Sequence, residues 1–255
     1  MDTMLEIHAS PEGLNKTNYW IFEQFLKEKN FKRLVVISQA LKNNCLQHYT
    51  ISENKILVAH DGADIPSSTE KIKLKKADSG RLQIGYVGHL FPGKGMEIVS
   101  ELAKRCPAYD FHVIGGRPED LNFWKGKVGH LDNLTFYGFL PPGQLDAYRQ
   151  TFDILLAPFQ REVKIIGAQD VSQWMSPLKI FEYMAAAKPI IVSNLPVLRE
   201  VMNESNAVIA EPDRVEDWVA AISKLKDADS RRSLGQKAYS DFTAQYTWDQ
   251  RARAV

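Results

Sequence analysis

Residues 176–193, Ser-Pro-Leu-Lys-Ile-Phe-Glu-Tyr-Met-Ala-Ala-Ala-Lys-Pro-Ile-Ile-Val-Ser, decide the fold of this chain. Ser176 is a good N-cap and Pro177 suits the first helical position, so this pattern predicts a helix over residues 177–187. The Lys-Pro pair that follows ends the helix, and the apolar run after it predicts a buried strand. Helices that alternate with buried strands build parallel α/β sheets.

The same helix has the features of a nucleotide site. A helix N-terminus attracts phosphate through its free N–H groups and its dipole. Glu182 lies about 7.5 Å beyond Pro177, at a rise of about 1.5 Å per residue, which is roughly the span from a diphosphate to a ribose. Its carboxylate would then accept hydrogen bonds from ribose hydroxyls. From the residues alone, an ordinary helix with a solvated glutamate stays an alternative interpretation.

Size and composition exclude several classes of protein. The 255 residues are 44% hydrophobic and 25% charged, which suits one large or two small globular domains. With 32 Lys and Arg against 31 Asp and Glu, the chain lacks the charge for bulk electrostatic binding of nucleic acid. The two cysteines, Cys45 and Cys106, lack metal-binding spacing and fit a reduced, cytoplasmic setting. No apolar run approaches the roughly 20 residues of a membrane span, so only peripheral membrane association stays open.

Strand patterns alternate with helix patterns along almost the whole chain. The predicted strands are Leu5–His8, Leu34–Ile37, Ile56–Ala59, Leu82–Val87, Asp110–Ile114, Asn133–Tyr137, Asp153–Leu156, Pro189–Val192 and Ala207–Ala210. The predicted helices are Asn15–Lys29, Gln39–His48, Gly95–Arg105, Pro118–Gly129, Pro142–Thr151, Pro177–Ala187, Pro196–Met202, Arg214–Asp227 and Asp229–Tyr246. This order predicts a doubly wound parallel α/β sheet that binds ligands beyond the carboxyl ends of its strands.

A change in composition predicts two domains. Residues 65–80 hold Pro-Ser-Ser, four lysines and Asp-Ser-Gly, which is typical of a linker, and residues 81–255 form the main domain. Residues 1–64 supply about three strands, which is thin for an independent α/β domain. We therefore expect a partial domain there, N-terminally incomplete, that self-associates through exposed apolar side chains. The candidates for that surface are Trp20, Ile21 and Phe25.

Glycines and a lysine mark the end of the first main-domain strand. Gly88, Gly93 and Gly95 let the backbone turn tightly and approach a ligand, and Lys94 lies where it can pair with a diphosphate. The spacing is neither the dinucleotide fingerprint nor a P-loop, so an ordinary turn with an exposed lysine stays open. Further on, the 17-residue loop 159–175 has the length of a functional or mobile loop.

Taken together, these segments resemble the retaining glycosyltransferases of the GT-B fold, family 4, also called the group 1 glycosyltransferases. The resemblance covers the chain from about Leu5 to Arg253. The motifs that carry it are Gly88–Gly95, Ile114–Gly116, Asn133–Leu140, Asp153–Pro158, Pro177–Ala186 and Tyr246–Trp248. It implies a Rossmann-like domain that binds the sugar donor, preceded by the remnant of an acceptor-side domain.

The resemblance also implies an activity and its residues. Such an enzyme moves a sugar, with retention, from a nucleoside-diphosphate sugar to an acceptor that is a glycan, a lipid or a small molecule, and it needs no metal or other cofactor. The implied catalytic residues are Lys94, Glu182 and His8, the last on the acceptor side of the cleft. The implied donor-binding residues are Gly88, His89, Lys94, Leu140, Trp174, Ser176, Leu178, Lys179 and Glu182.

Two positions depart from the family pattern. His89 stands where the family has a diphosphate-binding arginine, and a histidine is only partly protonated at pH 7. Trp174 stands where the family has the first of two glutamates, and Ser176, Lys179 and Asp170 are the candidates to replace it. Two alternatives therefore stay open: a non-catalytic module that binds a nucleotide sugar, and a nucleotide-sugar 2-epimerase of the same fold.

Overall fold

The computed structural model describes residues 2–11, 15–77, 80–163 and 170–255. The strands in these residues are β1 (Thr3–Ile7), β2 (Phe31–Val36), β3 (Ile56–Val58), β4 (Gln83–Val87), β5 (Asp110–Ile114), β6 (Leu134–Gly138), β7 (Ile154–Ala157), β8 (Ile190–Ser193) and β9 (Val208–Ala210). The helices are α1 (Lys16–Lys27), α2 (Gln39–His48), α3 (Met96–Arg105), α4 (Pro118–Val128), α5 (Pro142–Thr151), α6 (Leu178–Ala185), α7 (Val215–Lys224), α8 (Ala228–Gln245) and α9 (Trp248–Ala254). In this part of the chain, no helix is long and apolar enough to cross a membrane.

Two parallel sheets organise the described residues. The smaller sheet has the strand order β1-β2-β3, and the larger has the order β6-β5-β4-β7-β8-β9. The chain order reverses at β4, which pairs with β5 on one side and with β7 on the other. The predicted doubly wound parallel sheet is confirmed, and β4 lies at its switch point, where such sheets bind ligands.

Helices cover both faces of the larger sheet. Along β8, Ile190 and Val192 pack with α6 and α8, whereas Ile191 packs with α3 and α7. All five residues of β4 are buried, because helices cover both faces of the sheet. Gly85 lies in the middle of β4 because a Cβ there would come within 2.1 Å of the Phe152 ring.

The start of α6 differs from the prediction. Pro177, not Ser176, is the N-cap residue, and the helix begins at Leu178. The Ser176 hydroxyl is unavailable for capping because it accepts a hydrogen bond from the Asp61 N–H at 2.9 Å. The helix ends at Ala185, two residues earlier than predicted, and a residue with φ +54° follows its C-cap.

The helices differ from the prediction at two further places. The predicted helix over 196–202 is only a short 3₁₀ turn at Leu198–Glu200, and α9 was not predicted. Self-association through residues 1–64 stays a prediction. Trp20 and Ile21 are 60% and 52% exposed, but Phe25 is half-buried and packs edge-on against the Phe31 ring. Residues 78–79 of the predicted linker and 164–169 of the predicted long loop lie outside the described residues.

A carboxylate from the larger sheet's lobe caps a helix of the smaller sheet's lobe. Glu200 accepts hydrogen bonds from the backbone N–H groups of Gln39 and Ala40, at 2.7 and 2.9 Å, at the start of α2. A negative charge at this end of a helix satisfies free donors and interacts favourably with the helix dipole. Arg251 of α9 adds a second connection, since it donates to the His60 carbonyl and the Glu6 carboxylate at 3.1 and 2.7 Å.

Removal of the Glu200 carboxylate is expected to destabilise the chain. Glu200→Ala should lower the free energy of unfolding by about 1 kcal/mol, the typical value of an N-cap, because two backbone donors of α2 lose their acceptor. Urea denaturation followed by circular dichroism measures this change. Glu204→Ala is the matched control, because Glu204 forms only an exposed ion pair with Arg199. Equal losses in the two variants would contradict the capping role.

Candidate functional site

An open cleft lies beyond the carboxyl ends of β4, β5 and β6, beside the start of α5. Its volume is about 390 Å³. It is lined mainly by strand-end and turn residues, namely Val87, Gly88, His89, Ile114, Gly115, Gly116, Arg117, Pro118, Phe139, Leu140, Pro142 and Leu145. The predicted site residues Gly88, His89 and Leu140 therefore share one cleft. A smaller hollow of about 210 Å³ adjoins it at Pro142 and includes Leu178 and Glu182.

The Lys179 side chain lies under the backbone of Gly88. Gly88 has φ +152°, and a Cβ built on it would come within 2.8 Å of Lys179 Cε and 2.9 Å of Lys179 Nζ. The lysine is 9% exposed, and its Nζ lies 3.7 Å from the centroid of the Tyr86 ring. Burial and the neighbouring positive charge of Lys94 hold the pKa of Lys179 well below its ordinary value.

Lys94 places a second amine in the same region. The Nζ atoms of Lys94 and Lys179 each lie 5.1 Å from the centroid of the Phe159 ring. Burial also lowers the pKa of Lys94. Among residues 2–11, 15–77, 80–163 and 170–255, no carboxylate lies within ion-pair distance of either amine. Two partly desolvated amines without an anionic partner among the described residues would suit an external anion.

His89 and Arg117 extend the basic region into the cleft. The His89 ring stacks on Phe91 with the centroids 4.9 Å apart, and the Arg117 guanidinium lies 5.0 Å from the centroid of the same ring. Burial lowers the pKa of His89 below 6.5, and the charges of Lys94, Lys179 and Arg117 lower it further. The imidazole is therefore mostly neutral at pH 7. A bound anion would raise its pKa and favour its protonation.

Leu178, at the start of α6, and Glu182 line the hollow. No side chain caps the helix, so the backbone N–H groups of Leu178 and Lys179 stay available for a ligand. One turn further on, Glu182 Oε2 lies 2.7 Å from an Nη atom of Arg149. Arg149 is 5% exposed and also bonds Asp146 at 3.0 Å, so it orients the Glu182 carboxylate.

Three residues that the sequence predicted for the site make their contacts outside the cleft and the hollow. Trp174 packs against the core of the smaller sheet, and its carbonyl accepts from Ser38 Oγ at 3.0 Å. Asp170 accepts hydrogen bonds from the Val163 and Ser172 N–H groups of its own loop. Ser176 is bonded to the Asp61 N–H, as described above.

His8 directly follows β1, and its ring Nε2 lies 2.8 Å from Glu6 Oε1. Its side chain is 61% exposed and lines neither the cleft nor the hollow. The structure therefore brings the phosphate-side candidates together and leaves His8 apart from them. A role for Trp174, Ser176 and His8 in the site stays a prediction.

Several residues of the two cavities were not identified from the sequence. They are Asp64, Arg117, Phe139, Pro142, Asp146, Arg149 and Trp248. The Asp146–Arg149 pair has the i, i+3 spacing of two neighbours on a helix, which was a detectable pattern. The burial of Arg149 beside Glu182 depends on the packing of α5 against α6, so the spacing alone does not predict it.

Comparisons with known proteins bear on the family and the fold of the chain. The profile of the family described as "Glycosyl transferases group 1" matches residues 67–241. The D-inositol 3-phosphate glycosyltransferase of Corynebacterium aurimucosum is 27% identical over 250 residues, covering 89% of this chain and 56% of that protein. A glycosyltransferase structure from Rickettsia africae ESF-5 superposes with a TM-score of 0.78 at 16% identity, covering 98% of this chain and 68% of that chain. Anabaena Alr3699/HepE in complex with UDP gives 0.74 at 16% identity, with 99% and 70% coverage.

The chain belongs to the group 1 glycosyltransferases, because the family profile covers more than half of it. The predicted family and the GT-B type α/β fold are both confirmed. The chain spans about half the length of the curated relatives it matches.

Replacement of His89 by arginine is expected to strengthen anion binding at alkaline pH. Binding raises the pKa of His89 in the wild type, so affinity for a nucleotide sugar should fall as pH rises through the bound-state pKa. His89→Arg keeps its charge and should bind about tenfold tighter than wild type at pH 8. Isothermal titration calorimetry measures both affinities. His130→Arg, at an exposed histidine paired with Asp132, is the control. No gain in His89→Arg would mean that His89 does not face the anion.

Proposed function

We propose that this chain binds a nucleoside-diphosphate sugar in the cleft beyond β4 and transfers the sugar, with retention, to an acceptor hydroxyl. The observation that carries the proposal is the pair of neighbouring amines of half-buried Lys94 and buried Lys179, which has no carboxylate partner among the described residues. A diphosphate supplies the missing negative charge. The cleft beside it provides an apolar wall for the base, including Leu140.

Electrostatic stabilisation of the leaving group carries the proposed chemistry. When the bond from the sugar C1 to the diphosphate oxygen breaks, negative charge builds on that oxygen. Lys94 and the backbone N–H groups of Leu178 and Lys179 neutralise it without a metal. The acceptor oxygen forms the new bond to C1, and its proton passes to the released diphosphate. No protein nucleophile is assigned.

Glu182 is proposed to bind the ribose of the donor. Its carboxylate lies one turn beyond the helix start and lines the adjoining hollow, and Arg149 orients it. His8 is proposed to contact the acceptor, and Trp174 and Ser176 to border the donor sugar. The UDP complex of Anabaena HepE, which has the same fold, supports UDP as the first nucleotide to test.

A thermal-shift screen tests the proposal directly. The panel consists of UDP, GDP, ADP, CDP and dTDP with their glucose or mannose conjugates. A ligand at a hundredfold excess over its dissociation constant adds about 2.7 kcal/mol of stability, which is readily detected. Release of nucleoside diphosphate from the best donor is then measured with and without a mixture of acceptors. A panel without any stabilising member would refute the donor site.

The same assay separates the alternatives. Tight donor binding without transfer or donor hydrolysis would indicate a binding module. Conversion of the donor to its 2-epimer in the absence of an acceptor would indicate an epimerase. Formation of a glycosylated acceptor supports the transferase, and the anomeric configuration of the product tests retention.

Loss of the Lys94 amine is expected to weaken diphosphate binding selectively. Lys94→Ala should lower the affinity for the best nucleoside diphosphate by about 10-fold to 100-fold, because it removes a charge-assisted hydrogen bond. Affinity for the matching nucleoside should stay unchanged, which calorimetry can show. Lys104→Ala, near the exposed far end of α3, controls for loss of surface charge. Equal losses for the nucleotide and the nucleoside would place Lys94 away from the phosphates.

Loss of the Glu182 carboxylate is expected to abolish discrimination between ribose and deoxyribose. The wild type should bind the ribonucleotide more tightly than its 2′-deoxy analogue, because the carboxylate accepts hydrogen bonds from ribose hydroxyls. Glu182→Gln should lose about 1.5–3 kcal/mol of binding to the ribonucleotide and little to the deoxy analogue. Competition calorimetry with the two nucleotides measures the difference. An unchanged preference in the variant would remove Glu182 from the ribose site.

A further inference from the structure

We propose that the side chain of Lys179 is a latent diphosphate ligand, which has no hydrogen-bond partner among the described residues and contacts the diphosphate when the donor binds. This proposal rests on the proposed donor site. It adds a side-chain role to the backbone N–H role of the same residue. It also makes donor binding a proton-uptake step.

The burial of Lys179 is the first observation. Its Nζ has no hydrogen-bond partner among the described residues and no appreciable exposure to solvent. Lysines at a protein surface normally keep the ammonium group in water while the stem packs on apolar atoms. Here the amine lies against the faces of Tyr86 and Phe159 instead. A buried polar group without a partner costs stability, so its retention calls for a use.

The position of Gly88 is the second observation. Gly88 lines the cleft, and the space that its Cβ would occupy is taken by the end of the Lys179 side chain. Only glycine backbone therefore separates the amine from the cleft. A rotation about the last bonds of the lysine side chain would bring Nζ to the edge of this glycine. A diphosphate bound at the turn would meet it there.

The charges around the amine set the direction of the proton movement. Lys94 and His89 face it from the turn after β4, Tyr86 faces it from β4, and Glu182 lies on its own helix. Burial and Lys94 lower the pKa of Lys179, and Glu182 opposes them only in part. A diphosphate adds negative charge beside Nζ and raises that pKa. Binding therefore takes up a proton wherever the pH lies between the free and bound values.

A purely structural lysine would behave differently. If Lys179 only fills space between Tyr86 and Phe159, methionine fills the same space with a similar unbranched chain. Donor affinity and proton uptake would then be the same in both proteins. If Lys179 is a latent ligand, the methionine variant should fold normally but lose both the proton uptake and the contact with the diphosphate.

Calorimetry in two buffers of different ionisation enthalpy measures the proton uptake. The parent protein is His89→Gln, so that His89 does not contribute protons, and the pH is 7.5. The ligand is the nucleotide sugar that the panel selects, UDP-glucose being the first, because its diphosphate does not titrate near neutral pH. Lys179→Met in this parent should lower the affinity about tenfold or more and abolish most of the proton uptake.

A second lysine and a second variant complete the design. Lys188→Met is the matched control, because Lys188 is also partly buried with a lowered pKa but lies beyond the far end of α6. It should change neither quantity. If Lys179→Met fails to fold by circular dichroism, Lys179→Gln replaces it.

The outcomes are distinct. A parent that binds without proton uptake, or a Lys179 variant with unchanged affinity and uptake, would overturn the latent-ligand proposal. A wild-type chain that binds no nucleotide sugar would instead refute the proposed function itself.

Discussion

The docking of α6 against the end of β4 is the contact on which the candidate site depends. The Tyr183 hydroxyl accepts a hydrogen bond from the Val87 N–H at 2.7 Å and lies 3.2 Å from the Val87 carbonyl. β4 pairs with β7 at Ile84 and Gly85. Beyond this pairing, the Tyr183 hydroxyl satisfies the backbone groups of Val87. One turn earlier on the helix, Lys179 fits under Gly88. These two contacts set the start of α6 beside the glycine-rich turn.

Two separate elements contribute amines to one partly desolvated region at this junction. Lys94 comes from the turn after β4, and Lys179 comes from α6. Neither amine has a carboxylate partner among the described residues. Both Nζ atoms lie near the ring of Phe159. Burial and the neighbouring charges lower the pKa of His89. With a histidine in place of the family's arginine, we therefore expect anion binding to depend on pH.

Regular elements with strong local patterns were predicted closely. The helices Gln39–His48 and Pro142–Thr151 and the strand Asp110–Ile114 match their predicted bounds. The errors occur where tertiary contacts override local preference. Ser176 is a good N-cap by residue type, but the Asp61 N–H occupies its hydroxyl. Trp174 is half-buried and packs against the core of the smaller sheet, a contact with residues distant in sequence.

The amino-acid sequence was sufficient to predict the parallel α/β class, the order of the elements and the family. It also identified Lys94, Lys179 and Glu182 as residues that lie near one strand end. Periodicity, glycine spacing and helix formers are local properties, and they are readable without a structure. Only the tertiary structure decided what these side chains contact. It buried the Lys179 amine under Gly88 and paired Glu182 with Arg149, which lies 33 residues earlier. Such contacts depend on how strands and helices distant in sequence pack together, and local patterns do not encode that packing.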